Sequence, residues 1–361
     1  MLISELCKDY FWIMPKTPKY VDGANIPYIT SKNLNNGTIN YKDCKYITED
    51  AFKNLTSKRF IQEDDFLISM IGTVGEVGIV KKADLPIYGQ NMYLLRPNYE
   101  LVNKRYLYNF ITSTPVNTKL QNIINGATQG YLHDKDIINL FLVDRTLDEQ
   151  AKIATQLDRI RNIIELKRQE LNNFDELIKS RFIEMFMDKS NNDIYPLRQW
   201  KDVVIVKHGK DYKNNIVRTG GYPVYGSGGF MGIYADNYLV NENSVIIGRK
   251  GTIDNPIFVK EKFWNVDTAF GIEVDSNVLN PIYFYIRSTM YDLKSMSTST
   301  TLPSMTKDTL HRIWIGIPPI ELQNKFAEFY KLIDKSKFIV QQQIKDLQEL
   351  LDKKMDEYFG E

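Results

Sequence analysis

From Asp148 to Met187 the chain runs without a glycine or proline. Apolar residues recur there at Ile153, Leu157, Ile160, Ile164, Leu171, Phe174, Ile178 and Met185, and Lys167 and Arg181 fill the skipped positions. This spacing predicts one long helix with a narrow apolar seam. The pattern returns 173 residues later at Phe326, Tyr330, Ile333, Val340, Ile344, Leu347, Leu351 and Tyr358, with Lys337 and Lys354 as its interruptions. At that offset the two stretches also share Gln150/Gln323, Lys152/Lys325, Glu176/Glu349 and Phe186/Phe359 without a gap. Thr146-Leu-Asp-Glu149 is a capping box that starts the first helix. Pro318-Pro319 opens the second and Gly360 ends it.

The remaining pattern is strand-rich, and it also repeats. Extended runs are expected at 26–30, 65–71, 77–80, 88–95 and 140–143, with helical spacing at 104–113. Asn243 to Ile247 enters Gly248-Arg-Lys-Gly251 as the earlier strand enters Gly72-Thr-Val-Gly75. Tyr283-Phe-Tyr285 answers Tyr106-Leu-Tyr108, and Lys307-Asp308 answers Lys135-Asp136. The polar run 188–193 reads as a linker. The expectation is an internally duplicated α+β chain: a mixed α/β unit over 1–147, a long helix over 148–187, a second unit over 188–317 and a second long helix over 318–361. A helix of about 40 residues is roughly 60 Å long, too long to bury its seam on one small unit. The two helices are therefore expected to pair antiparallel as a coiled coil between the two units, in a pseudo-two-fold arrangement. The seam residues are Ile153, Leu157, Ile160, Ile164, Leu171, Phe174 and Ile178 against Phe326, Tyr330, Ile333, Val340, Ile344, Leu347 and Leu351.

Composition adds limits. The 361 residues suffice for two ordinary domains. A net charge of +1 neither announces nor excludes nucleic acid, since a local basic face is enough. Cys7 and Cys44 have no metal-type spacing and read as free thiols of a reducing compartment. No apolar run approaches the roughly 20 residues of a membrane span, and no signal peptide is visible. A cytoplasmic protein is expected.

Catalytic chemistry is sparse. His133, His208 and His311 lack partners at metal-ligand spacing, and His133-Asp134 reads as a surface pair beside a helix start. Gly72 to Gly78 resembles a phosphate loop only in its glycines, because a strand rather than a helix follows it. No adenine-methyltransferase motif is present: Pro318-Pro319 is followed by Ile320 and lacks a preceding Asn or Asp. Neither catalytic, cofactor-binding nor metal-binding residues are assigned. Binding chemistry remains, since Asn, Gln, Arg, Lys, Ser and Thr hold phosphates and read base edges. The candidates in the first half are Lys32, Asn33, Asn35, Asn36, Lys81, Lys82, Thr128, Gln129 and Tyr131. In the second half they are Lys207, Lys210, Lys213, Arg218, Ser227, Arg249, Lys250, Thr300 and Thr301.

These features together resemble the specificity subunits of Type I restriction–modification systems. The resemblance rests on Ile26-Pro-Tyr-Ile-Thr-Ser-Lys-Asn-Leu34, on Leu67 to Gly75, on Leu302 to Asp308, on Pro318-Pro319-Ile-Glu-Leu-Gln323 and on the duplication. It implies two target recognition domains, each reading half of a split, asymmetric DNA site, with the helices as spacer. It implies two modification subunits that carry AdoMet and methylate adenine, a restriction subunit, double-stranded DNA as the ligand, and no catalysis or cofactor in this chain. The alternatives are a coiled-coil scaffold with two protein-binding heads, and an enzyme, which only the Gly72–Gly78 turn favours.

Overall fold

The computed structural model describes residues 1–70, 75–126, 132–297 and 304–360. The chain divides into two compact units, one formed by 1–167 with 343–361 and the other by 168–342.

In the first unit the strands are β1 (Cys7–Ile13), β2 (Ile26–Ile29), β3 (Leu34–Asn35), β4 (Thr38–Ile39), β5 (Lys45–Ile47), β6 (Phe66–Ser69), β7 (Val77–Ile79), β8 (Tyr88–Gly89) and β9 (Met92–Pro97). Its helices are α1 (Glu49–Thr56), α2 (Lys104–Ile111), α3 (Thr114–Gly126), α4 (Asp134–Ile138) and the start of α5 (Leu147–Phe186). An antiparallel sheet of order β1-β9-β6-β7 carries the core. All four residues of β6 are buried, as expected of a central strand covered on both faces. A second sheet, β5-β2-β8, contains one parallel pair.

The second unit has β10 (Leu197–Gln199), β11 (Val204–His208), β12 (Ile216–Val217), β13 (Tyr222–Gly226), β14 (Gly229–Ala235), β15 (Ser244–Gly248), β16 (Ile257–Val259), β17 (Trp264–Asn265), β18 (Ala269–Val274) and β19 (Trp314–Gly316). Helices α6 (Pro281–Ser288), α7 (Lys307–His311) and α8 (Ile320–Phe359) follow in order. Its main sheet, β11-β18-β15-β16, repeats the order and sense of the first. The β12-β14-β13-β17 sheet again ends in a parallel pair. Gly75 and Gly251, matched in the repeat, both take positive φ (89° and 79°), a conformation that glycine adopts without steric cost.

Each unit takes part of both long helices. In the first, Ile153, Ala154, Leu157 and Ile164 of α5 share a core with Leu351, Met355 and Phe359 of α8. In the second, Ile178, Phe182 and Phe186 share a core with Phe326 and Ala327. The early part of each helix thus meets the late part of the other, so the segments run antiparallel within each unit. Lys337, an interruption of the seam, donates from Nζ to Asp175 Oδ1 at 2.5 Å.

One polar device is copied in both units. Gln150, buried in the first turn of α5, accepts from the Asn103 N–H at 2.8 Å and donates to the carbonyls of Leu101 and Arg145 at 3.3 and 2.9 Å. Gln323 of α8 accepts from the Asn280 N–H at 2.8 Å and donates to Val278 and Pro318 at 3.0 and 2.8 Å. Asn103 and Asn280 are the N-caps of α2 and α6. Each glutamine therefore ties a long helix to the start of the short helix that covers the sheet.

Several expectations need correction. Residues 140–143 form no strand beyond one bridge, Leu2 to Phe141; Leu140 and Leu142 bury against the core beside the N-terminal segment. The run 88–95 is broken between β8 and β9, with Asn91 at φ 62°. Helices α1 and α3 were not expected: α1 is short and packs only the half-buried Ala51, Phe52 and Leu55 on the core, and α3 reads as a polar, Asn- and Thr-rich run. Residues 188–193 are a compact turn rather than an open linker: Asp188 accepts from the N–H groups of Ser190 and Asn192, and buried Asp193 pairs with Arg287. The seam's phase also drifts. Ile153, Leu157, Ile164, Ile178, Phe326, Val340 and Leu351 are buried, whereas Ile160, Leu171, Phe174, Tyr330, Ile333, Ile344 and Leu347 are half-buried. Met185 is half-buried too, and Phe182, Phe186, Met355 and Phe359 hold the deep positions.

Gln150→Leu orphans one buried N–H and two carbonyls, so its urea unfolding free energy should fall by about 1–3 kcal/mol. Gln323→Leu should do the same, and a Gln150→Glu change should not restore the loss, because a carboxylate donates nothing to the carbonyls.

Candidate nucleic-acid interface

The candidate residues sit on turns that the two sheets hold in place. In the first unit, Asn36 and Gly37 form the two-residue loop between β3 and β4, with φ of 46° and 78°. Both values are those a type I′ turn requires. The Gly37 N–H donates to the Val77 carbonyl at 2.9 Å, which docks this hairpin on β7. Lys32, Asn35 and Asn36 are exposed there, and Lys81 and Lys82 are exposed just past β7. Asn33 serves the fold: it is buried, accepts from the Thr30 N–H at 2.8 Å and donates to the Asn40 carbonyl at 2.8 Å.

In the second unit the turn that carries Arg249 and Lys250 approaches Ser227 at Gly251. The Gly251 position lies 3.6 Å from Ser227 Oγ, measured from the Cβ it would carry. The N–H groups of Arg249 and Lys250 both donate to the Thr268 carbonyl, and the Arg249 guanidinium donates to the Asp267 carbonyl at 3.3 Å. Lys250 bridges to Ser304. Lys213 and Arg218 are exposed around β12. Lys207 is held by Glu273 at 2.7 Å, leaving little of its charge for a ligand. Lys210 is exposed, and its carbonyl accepts from Trp264 Nε1 at 2.9 Å. Gly209 before it has no room for a side chain: a Cβ would lie 1.9 Å from the Val266 carbonyl oxygen. Thr128, Gln129, Tyr131, Thr300 and Thr301 lie outside the described residues, as does most of the Gly72–Gly75 turn.

Sequence reasoning missed the exposed aromatic face of the β13–β14 hairpin. Phe230, Met231 and Tyr234 are 48%, 43% and 43% exposed, and Phe230 contacts both Tyr225 and Tyr234. Ser227 lies in the same hairpin's turn. The signal was Gly226-Ser-Gly-Gly229-Phe-Met231, where apolar residues follow a glycine-rich turn.

The described residues contain no cluster of three His, Cys, Asp or Glu able to hold a metal ion. The His133 backbone N–H donates to Asp136 at the start of α4, and the His208 ring packs on Phe270. Burial, with Asp9 nearby, pushes the Cys7 thiol up to about 12, and burial also raises Cys44. Strands β6 and β7, which flank the Gly72–Gly75 stretch, pair antiparallel and Gly78 lies within β7, so a strand rather than a helix follows the described glycines. No helix among the described residues is long and apolar enough to cross a membrane.

Comparison with known proteins places this architecture. A family model described as the Type I restriction modification DNA specificity domain matches residues 8–174 and again 195–349. The MjaIX specificity subunit of a Type I restriction enzyme from Methanocaldococcus jannaschii is 25% identical over 366 residues, covering 88% of this chain and 83% of that protein. The EcoBI specificity subunit from Escherichia coli is 20% identical over 142 residues, 39% of this chain and 30% of that protein. Among solved structures, the S subunit of a Type I system from M. genitalium aligns with a TM-score of 0.58 at 16% identity, over 100% of this chain and 96% of that one. A chain from a study of assembly and conformational transition in the Type I system aligns at 0.61 with 15% identity, over 99% and 96%. These likenesses support the fold.

Because Cys7 is thiolate only at high pH, DTNB at pH 8 should leave it unreacted in the native chain and titrate two thiols after denaturation. Asn33→Ala should lower stability by about 1–2 kcal/mol, while Lys32→Ala should leave the melting temperature unchanged.

Proposed function

Since the chain belongs to the Type I restriction modification DNA specificity domain family and carries that domain twice, we propose that each unit reads one half of a split DNA site. The chain is a specificity subunit, the non-catalytic member of a complex with other subunits and DNA. The observation that carries the split-site reading is the duplication: matching main sheets, matching turns at Gly75 and Gly251, and the same glutamine clasp in both units. Two similar but non-identical readers on one chain suit an asymmetric bipartite site.

In this reading Lys32, Asn35, Asn36, Lys81 and Lys82 of the first unit face DNA. Lys210, Lys213, Arg218, Ser227, Arg249 and Lys250 do so in the second, with Phe230 and Met231 beside them. Two modification subunits supply AdoMet and the adenine-methylating centre, a restriction subunit supplies the nuclease, and the complex works in the cytoplasm. Two-copy docking is supported by exposed apolar residues at repeat-equivalent positions of the helices. Leu166 is 63% and Ile339 48% exposed, and Leu177 is 46% and Leu350 43% exposed. Members of each pair are 173 residues apart, so each unit offers one residue of each pair.

Disrupting the gene should erase one bipartite adenine-methylation motif from the genome of an expressing strain; an unchanged methylome would refute the reading. In binding assays with the assembled complex, Arg249→Ala should weaken DNA binding by about 1–3 kcal/mol if it reaches a base edge, and relax one position of one half-site only. If it reaches a phosphate, affinity should fall evenly across sequences and the salt slope should drop by about one.

A further inference from the structure

A groove in the second unit is built on helix residues that the repeat in the first does not share. Its cavity of about 670 Å³ is lined by Phe258, Ile282, Tyr330 and Phe338 together with Lys260, Lys331, Lys335 and Lys337. The floor is braced from behind, because the Tyr285 ring contacts both Phe258 and Tyr330. Phe338 stands at the surface, 68% exposed. The rim is positive. Lys260 pairs with Asp334 at 2.6 Å and Lys337 with Asp175 at 2.5 Å. Four lysines against two carboxylates leave two positive charges, on Lys331 and Lys335, which are exposed and make no ion pair among the described residues.

The repeat provides an internal comparison. Subtracting 173 from 331, 335, 337 and 338 gives Asp158, Asn162, Ile164 and Glu165. Two lysines become a carboxylate and an amide, the third becomes a buried apolar residue, and the exposed phenylalanine becomes an acid. Asp158 is moreover occupied, accepting from the Arg105 guanidinium and from the Asn109 amide. The matching helix stretch of the first unit therefore lacks the groove's lysines and its exposed phenylalanine. Identical subunits bound to both units could not use this feature twice. The face also differs from the one that exposes Leu332 and Ile339: Lys331 and Phe338 each precede these by one residue, about 100° around the helix.

We propose that this groove docks an acidic segment of a single-copy protein partner, which inserts an aromatic or aliphatic side chain beside Phe338 and sets carboxylates against Lys331 and Lys335. An apolar floor with a charged rim is the usual anatomy of a protein interface, and the charge selects the sign of the partner. A nucleic acid would leave the Phe258–Ile282–Tyr330–Phe338 floor without a role. The proposal does not depend on which bases the chain reads.

The test uses the full chain, alone and assembled with its modification subunits, and a fluorescent sixteen-residue peptide. The peptide is helical, with Glu on one face and Trp and Leu at i, i+4 and i+7. Saturable binding should weaken about tenfold in Lys331→Glu/Lys335→Glu and at least threefold in Phe338→Ser. Asn162→Glu, at the matching place in the first unit, should change nothing. A scrambled peptide of the same composition should bind at least tenfold more weakly. Circular dichroism melts establish that the variants fold. Three results overturn the proposal: no saturable binding, equal binding by folded variants, or a loss of DNA affinity in the double variant as large as its loss of peptide. Displacement of the peptide by the modification subunits would also overturn it, since the groove would then belong to a two-copy interface.

Discussion

Two buried glutamine side chains set the frame on which both units are built. A long helix with a narrow seam has little to fix its angle or its register against a small sheet. Gln150 and Gln323 supply that restraint, each spanning three backbone groups that would otherwise be buried unpaired. The amide is the only uncharged side-chain group that both accepts and donates twice. Leaving buried groups unsatisfied costs more than a paired bond gains, so the clasp discriminates sharply against other dockings. With the helix fixed, α2 and α6 are fixed by their asparagine caps, and behind them the sheets that carry the candidate turns.

The same chemistry explains what was legible beforehand. The helices were readable because their seams, capping box and prolines are local signals, and the duplication because it preserves register over many residues. Gln150 and Gln323 were visible only as two identities among others, since their partners lie 47 and 43 residues away in sequence. The deep aromatic positions Phe182, Phe186 and Phe359 were missed because a straight helix drifts from a strict seven-residue repeat, and the helix ends bury a different stripe. At the interface, residue type could not separate Asn33, consumed by its own turn, from the exposed Asn35 and Asn36. Nor could it show that Lys207 is held by Glu273 while the turn at Gly251 approaches Ser227.

The units are alike in the elements that fold them and different in elements that they expose. Sheet order, clasp and glycine turns are shared. The β13–β14 hairpin with its exposed aromatics and the lysine-rimmed groove by Phe338 lie in the second unit, and the helix residues that rim the groove are not repeated in the first. Duplication with divergence of exposed elements is what the proposed pair of readers with separate preferences requires, and the proposed single-copy partner would use a face that is not repeated.

The most direct test of this account is an exchange of one unit. Residues 194–316 are replaced by the corresponding stretch of a relative with a different methylation motif, leaving both helices and both glutamines in place. Single-molecule sequencing then reads adenine methylation in the host. The account predicts a hybrid motif, with one half-site changed and the other retained. Loss or replacement of both half-sites by a folded, assembled exchange protein would contradict it.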